Sequence, residues 1–170
     1  GIDGGLEGSA TVDDSTTYSS AQAGKFTKEN ATTTIAEETT HKRTGGKGLR
    51  VRNASTTGRR VRSPLTSFSS KTTAVTIQYY RMITNLTHGA SNQVGVVRAT
   101  ETLQGTYDKP ASASTWQKMT YSPASATFTS LAGVWMMRGP DANGDNVYID
   151  DVAVYDGALD TTAPNAAGTV

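Results

Sequence analysis

The chain has no cysteine, so a disulfide framework, a thiolate metal site and a cysteine nucleophile are all excluded. It carries only two histidines, His41 and His88, and no G-x-S-x-G or H-E-x-x-H segment, which removes the common hydrolase and zinc-protease signatures. No apolar run approaches the roughly 18 residues that span a bilayer as a helix, so no membrane helix is expected. Leucine is scarce while Thr, Ser, Ala and Gly are abundant, and apolar residues make up 35% of the chain. Long amphipathic helices would have little to pack with, and strands and turns are favoured. A length of 170 residues suits one domain around one core.

What is present is an uneven charge. The net charge is +1, but basic residues are dense between His41 and Arg62 and acidic ones gather toward both ends. No zinc spacing, recognition-helix pattern or basic-aromatic motif accompanies the basic stretch, so nucleic acid is not an expected partner.

Period-2 alternation is the dominant pattern. Leu49 and Val51 alternate with Arg50 and Arg52, and after a turn-rich segment Val61 alternates with Arg60 and Arg62, so 48–52 and 58–63 are predicted to form a hairpin. In the strand predicted over 74–83, Val75, Ile77 and Tyr79 take one face and Thr76, Gln78, Tyr80 and Met82 the other. Further strands are predicted over 93–100, 115–121, 134–138 and 146–155, and residues 31–40 as strand or loop. Seven or more short strands point to an all-β fold, a two-sheet antiparallel β-sandwich of jelly-roll type. Residues 159–170 read as a linker after a module spanning 1–158, and the opening at Gly1 without Met suggests a piece of a larger multi-domain protein.

Five short segments, in order, resemble a known family: Gly4-Gly5-Leu6-Glu7, Arg43 to Val51, Val75 to Met82, Ser114 to Tyr121 and Val147-Tyr148-Ile149-Asp150-Asp151-Val152. They are similar to the jelly-roll, galactose-binding-like carbohydrate-binding modules of families four, nine, sixteen and twenty-two. The opening motif departs from the family in carrying Leu6 where Phe usually stands. The resemblance implies a non-catalytic module of a secreted or cell-surface bacterial protein, which binds a polysaccharide and sits beside a covalently linked glycoside hydrolase or polysaccharide lyase. It also implies one structural calcium held by Glu7, Asp151 and the carbonyls of Gly5, Thr44 and Lys47, an oxygen-only set of the kind Ca²⁺ takes. Asp151 is preferred over Asp150 because it alternates with Ile149 and Val147. Asp141 to Asn146 lacks the downstream Glu of a calcium loop and reads as a plain turn.

Sugar sites need aromatic faces for the rings and polar groups for the hydroxyls. Tyr80, outward beside Gln78, is the leading aromatic candidate, with Trp135 next and Trp116 expected in the core. The arginines are the most unusual feature: Arg50, Arg52, Arg60 and Arg62 are expected on one hairpin face, with Arg138 on another strand. Arginine holds carboxylate or sulfate in a bidentate fork, so an acidic polysaccharide is an expected ligand class. A solvated sheet face that discourages edge pairing would show the same pattern. The competing functions are a structural spacer or adhesive module of a bacterial surface protein and a small jelly-roll lyase.

Overall fold

In the computed structural model, the residues described are 11–17, 25–28, 31–53, 60–62, 75–86, 92–98, 107–108, 111–121, 131–138 and 144–156. They form eleven strands: β1 (Thr11–Thr17), β2 (Lys25–Lys28), β3 (Thr33–Glu38), β4 (Gly48–Asn53), β5 (Arg60–Arg62), β6 (Val75–Ile83), β7 (Asn92–Arg98), β8 (Tyr107–Asp108), β9 (Gln117–Tyr121), β10 (Leu131–Arg138) and β11 (Asn146–Asp156). One sheet has the order β1-β2-β5-β10-β7-β8 and the other β3-β4-β11-β6-β9. The two-sheet β-sandwich expected from the alternation is therefore present. One pair departs from the antiparallel rule, since β1 runs parallel to β2.

Alternation puts the core between the sheets. From the five-stranded sheet come Ile35, Leu49, Val51, Tyr79, Ile83, Met119, Val147, Ile149 and Val152, all buried, and Phe26 and Val61 are buried in the six-stranded sheet. Register explains the grouping. Val147 lies opposite Val51 and Ile83, and Ile149 opposite Leu49 and Arg81, so one face of three adjacent strands is apolar apart from the buried Arg81. Along one side of the sandwich, Asp14 on β1 joins the sheets: its Oδ1 accepts the Ile35 N–H at 2.7 Å and the Lys28 ammonium at 3.0 Å.

The expected hairpin of β4 and β5 is not formed. β4 pairs with β3 and β11, whereas β5 pairs with β10 and β2 in the other sheet. A polar connection is compatible with either a hairpin or a crossing between sheets, and here β4 pairs with the preceding β3 and the distant β11, and β5 with β2 and the distant β10. The opening motif with Gly5 and Glu7, the 54–59 connection, residues 139–143 and the expected linker 159–170 lie outside the described residues.

Candidate functional site

The outward face of the five-stranded sheet brings together most of the described candidates. Register places Arg50 between Ala36 and Tyr148, and Arg52 between Thr34 and Asn146. Tyr80 lies between Asp150 and Lys118, and Gln78 between Ala153 and Thr120. Tyr79 is buried in the core and Tyr80 is half-buried on the opposite face, as the alternation implies.

The segment 39–47 folds across this face, and three sets of contacts hold it there. Glu38 Oε1 accepts the N–H groups of Thr40 at 2.7 Å and His41 at 3.2 Å. The His41 ring stacks on Tyr148 with centroids 4.4 Å apart, and the Arg43 guanidinium lies 3.5 Å from the centre of the Tyr80 ring. Asp150, only 2% exposed, accepts N–H bonds from Arg43 at 2.7 Å and Thr44 at 3.2 Å on one oxygen, and from Asp151 at 2.8 Å on the other. Gly48 permits the close approach, because a Cβ there would stand 3.2 Å from the Ile149 carbonyl oxygen and 3.5 Å from that of His41. Two planar cationic or aromatic side chains therefore cover the two tyrosines, and Tyr148 is buried although it points away from the core.

Asp151 occupies a bulge. Between Asp150 and Ala153 the register against β6 shifts, and Asp151 takes a φ of +50°, a left-handed conformation that Asp tolerates better than most residues. The extra residue interrupts the alternation, so Asp150 is the buried carboxylate and Asp151 stands half-buried, bonded to the Arg43 guanidinium and the Thr44 hydroxyl. Lys47, another residue of the implied calcium set, pairs with Glu37 at 2.7 Å. Asp151 and the turn that carries Thr44 are thus brought together, while the other carboxylate of that set, Glu7, lies outside the described residues. Among the described residues no group of three or more His, Asp or Glu could hold a metal, so the set depends on Gly5 and Glu7.

The remaining candidate arginines belong to the other sheet, whereas Arg81 is buried on β6. Arg62 is buried opposite Met136 and Thr27, and Arg60 lies opposite Arg138. The single arginine face expected from the sequence is therefore split between two sheets, with Arg50 and Arg52 exposed on one. Trp135 is in β10 opposite Val96, its side chain outside what is described, and Trp116 is half-buried just before β9 rather than enclosed in the core.

Burial alone would raise the pKa of Glu38, but the N–H groups of Thr40 and His41 and the charges of His41 and Arg50 outweigh it and hold it below the usual 4.5. Burial first, and then the Glu38 charge, push Tyr148 up, with Arg50 opposing them. A carboxylate with a depressed folded-state pKa adds stability above its unfolded value, and that stability is lost as pH falls from about 4.5 through the lower folded value. Glu38→Gln is expected to cost about 1–2 kcal/mol at neutral pH and to flatten the acid limb of a stability–pH curve, measured by denaturant melts. An acid limb as steep as that of the parent would remove Glu38 from this role.

No family model matches the chain, and no curated protein matches it. Solved structures do. The CBM22-1 xylan-binding domain of Paenibacillus barcinonensis Xyn10C superposes with a TM-score of 0.55 at 12% identity, over 85% of this chain and 93% of that one. The C-terminal family 22 carbohydrate binding module of Clostridium thermocellum Xyn10B gives 0.55 at 14% identity, over 80% and 87%. The CBM22-1–GH10 modules of Clostridium thermocellum endo-1,4-beta-D-xylanase 10B, complexed with xylohexaose, give 0.58 at 14% identity, over 77% of this chain. This chain spans 26% of that longer protein. At these identities the likeness establishes the fold, the jelly-roll sandwich of carbohydrate-binding modules.

Proposed function

We propose that this chain is a non-catalytic carbohydrate-binding module that targets an appended enzyme to a polysaccharide outside the bacterial cell. The observation that carries the reading is the sandwich itself, which matches a domain described as xylan-binding over 93% of its length and a family 22 carbohydrate binding module over 87%. The match to modules attached to a GH10 unit supports the appended enzyme. The arginines favour an acidic polysaccharide, carrying uronate or sulfate groups, over a neutral one. A calcium ion fits the reading as a structural element: Asp151 and the carbonyls of Thr44 and Lys47, with Gly5 and Glu7, would hold it, and it would supply charge that fastens the 39–47 segment to the bulge of β11.

A second reading draws on one specific observation. Two tyrosines on the outer face of the five-stranded sheet are capped, Tyr80 by Arg43 and Tyr148 by His41, as in a closed structural face. A spacer or adhesive module would need no open aromatic. Affinity electrophoresis against a panel of neutral and acidic polysaccharides separates the two, since a spacer migrates identically in every gel.

A further inference from the structure

We propose that the exposed pair Arg50 and Arg52 on the outer face of the five-stranded sheet is the surface that holds the anionic groups of an acidic glycan. This rests on the carbohydrate-binding reading and assigns its charge preference to one of the two arginine sets.

Four other described lysine and arginine side chains have acidic partners, while Lys42 and Lys118 are exposed without a described ion pair. Lys25 faces Asp13 at 3.9 Å, Lys28 meets Asp14 at 3.0 Å, Lys47 meets Glu37 at 2.7 Å and Arg43 is bonded to Asp151. Neither Arg50 nor Arg52 forms an ion pair with a described carboxylate, and both are exposed. Their register neighbours are the uncharged Ala36 and Tyr148 on one row and Thr34 and Asn146 on the next. Two residues apart on one strand, they stand about 7 Å from each other on the same side, which sets like charges side by side. Glu38 feels the charge of Arg50 but is itself occupied by the Thr40 and His41 N–H groups.

The chemistry suits a linear polyanion. Two guanidiniums on an open sheet face present forks to successive carboxylates or sulfates, and Thr34 and Asn146 add hydroxyl and amide groups beside Arg52. The other set differs, because Arg62 is buried. With Tyr80 and Tyr148 covered by Arg43 and His41, the part of the face around Arg50 contributes charge rather than ring stacking.

The test is affinity electrophoresis through gels carrying polygalacturonate or a neutral xylan, for the parent chain and the R50Q/R52Q and R60Q/R138Q variants. Melting temperatures of the three proteins are measured alongside. The parent is expected to be held about fivefold more strongly by polygalacturonate at low salt, with the preference fading by about 0.5 M salt. R50Q/R52Q should lose the preference while keeping its melting temperature and its retention by neutral xylan, and R60Q/R138Q should keep the preference. A preference that survives in R50Q/R52Q, or that disappears only in R60Q/R138Q, overturns the assignment. Retention by neutral xylan with no acidic preference in the parent overturns this inference alone. No retention in either gel removes the carbohydrate-binding reading and the assignment with it.

Discussion

Replacing Asp150 with Ala is expected to cost about 3 kcal/mol of stability, the largest effect of any single change outside the apolar core. The carboxylate is 2% exposed and takes three N–H bonds, from Arg43, Thr44 and Asp151. Two of those donors lie on the segment that crosses the sheet, so loss of the carboxylate strips that segment of its main attachment and leaves those part-buried N–H groups without their acceptor. For a domain of this size the melting temperature should fall by roughly 6–12 °C. Asp150→Asn, which keeps one acceptor oxygen, should lose about half as much. Measured in excess chelator, so that no metal contributes, an unchanged melting temperature for Asp150→Ala would show that the segment is held by its ring contacts instead.

The second large effect concerns calcium. A ligand bound only by the folded chain, present at about a hundredfold over its dissociation constant, adds about 2.7 kcal/mol. Melting in calcium should therefore lie roughly 5–11 °C above melting in chelator. Glu7→Ala and Asp151→Ala should each abolish the difference. The Asp151 variant also loses the bonds to Arg43 and Thr44, so it should melt below the parent even in chelator. Identical melting of the parent in calcium and in chelator would mean that the Arg43–Asp151 pair fastens the segment without a metal.

The alternation reveals a good part of this fold and nothing of its pairing. Leu49 and Val51 against Arg50 and Arg52, or Tyr79 against Tyr80, separate into inner and outer faces because a pleated strand sends successive side chains to opposite sides. β1 was not evident, since Thr11–Thr17 is polar and carries no such pattern. The hairpin of β4 and β5 failed because a turn-rich connection says only that the chain changes direction, and not which sheet receives the next strand. At Asp151 a bulge adds one residue to the strand, so the alternation that runs through Val147 and Ile149 ends there, which no local pattern of residues records. The attachment of the 39–47 segment was hidden in a different way. Asp150 and the N–H groups it accepts are 106 and 107 residues apart along the chain, and no local pattern records a contact that only the closed sandwich creates.

If the sandwich is a polysaccharide-binding module, as proposed, polysaccharide gels should retain it. With a non-binding protein of similar size and charge as the mobility reference, the chain should be retarded by at least one soluble plant or algal polysaccharide, more strongly when that polymer carries carboxylate or sulfate groups. Migration equal to the reference in every gel, neutral and acidic, by a chain shown to melt cooperatively, would contradict the proposal.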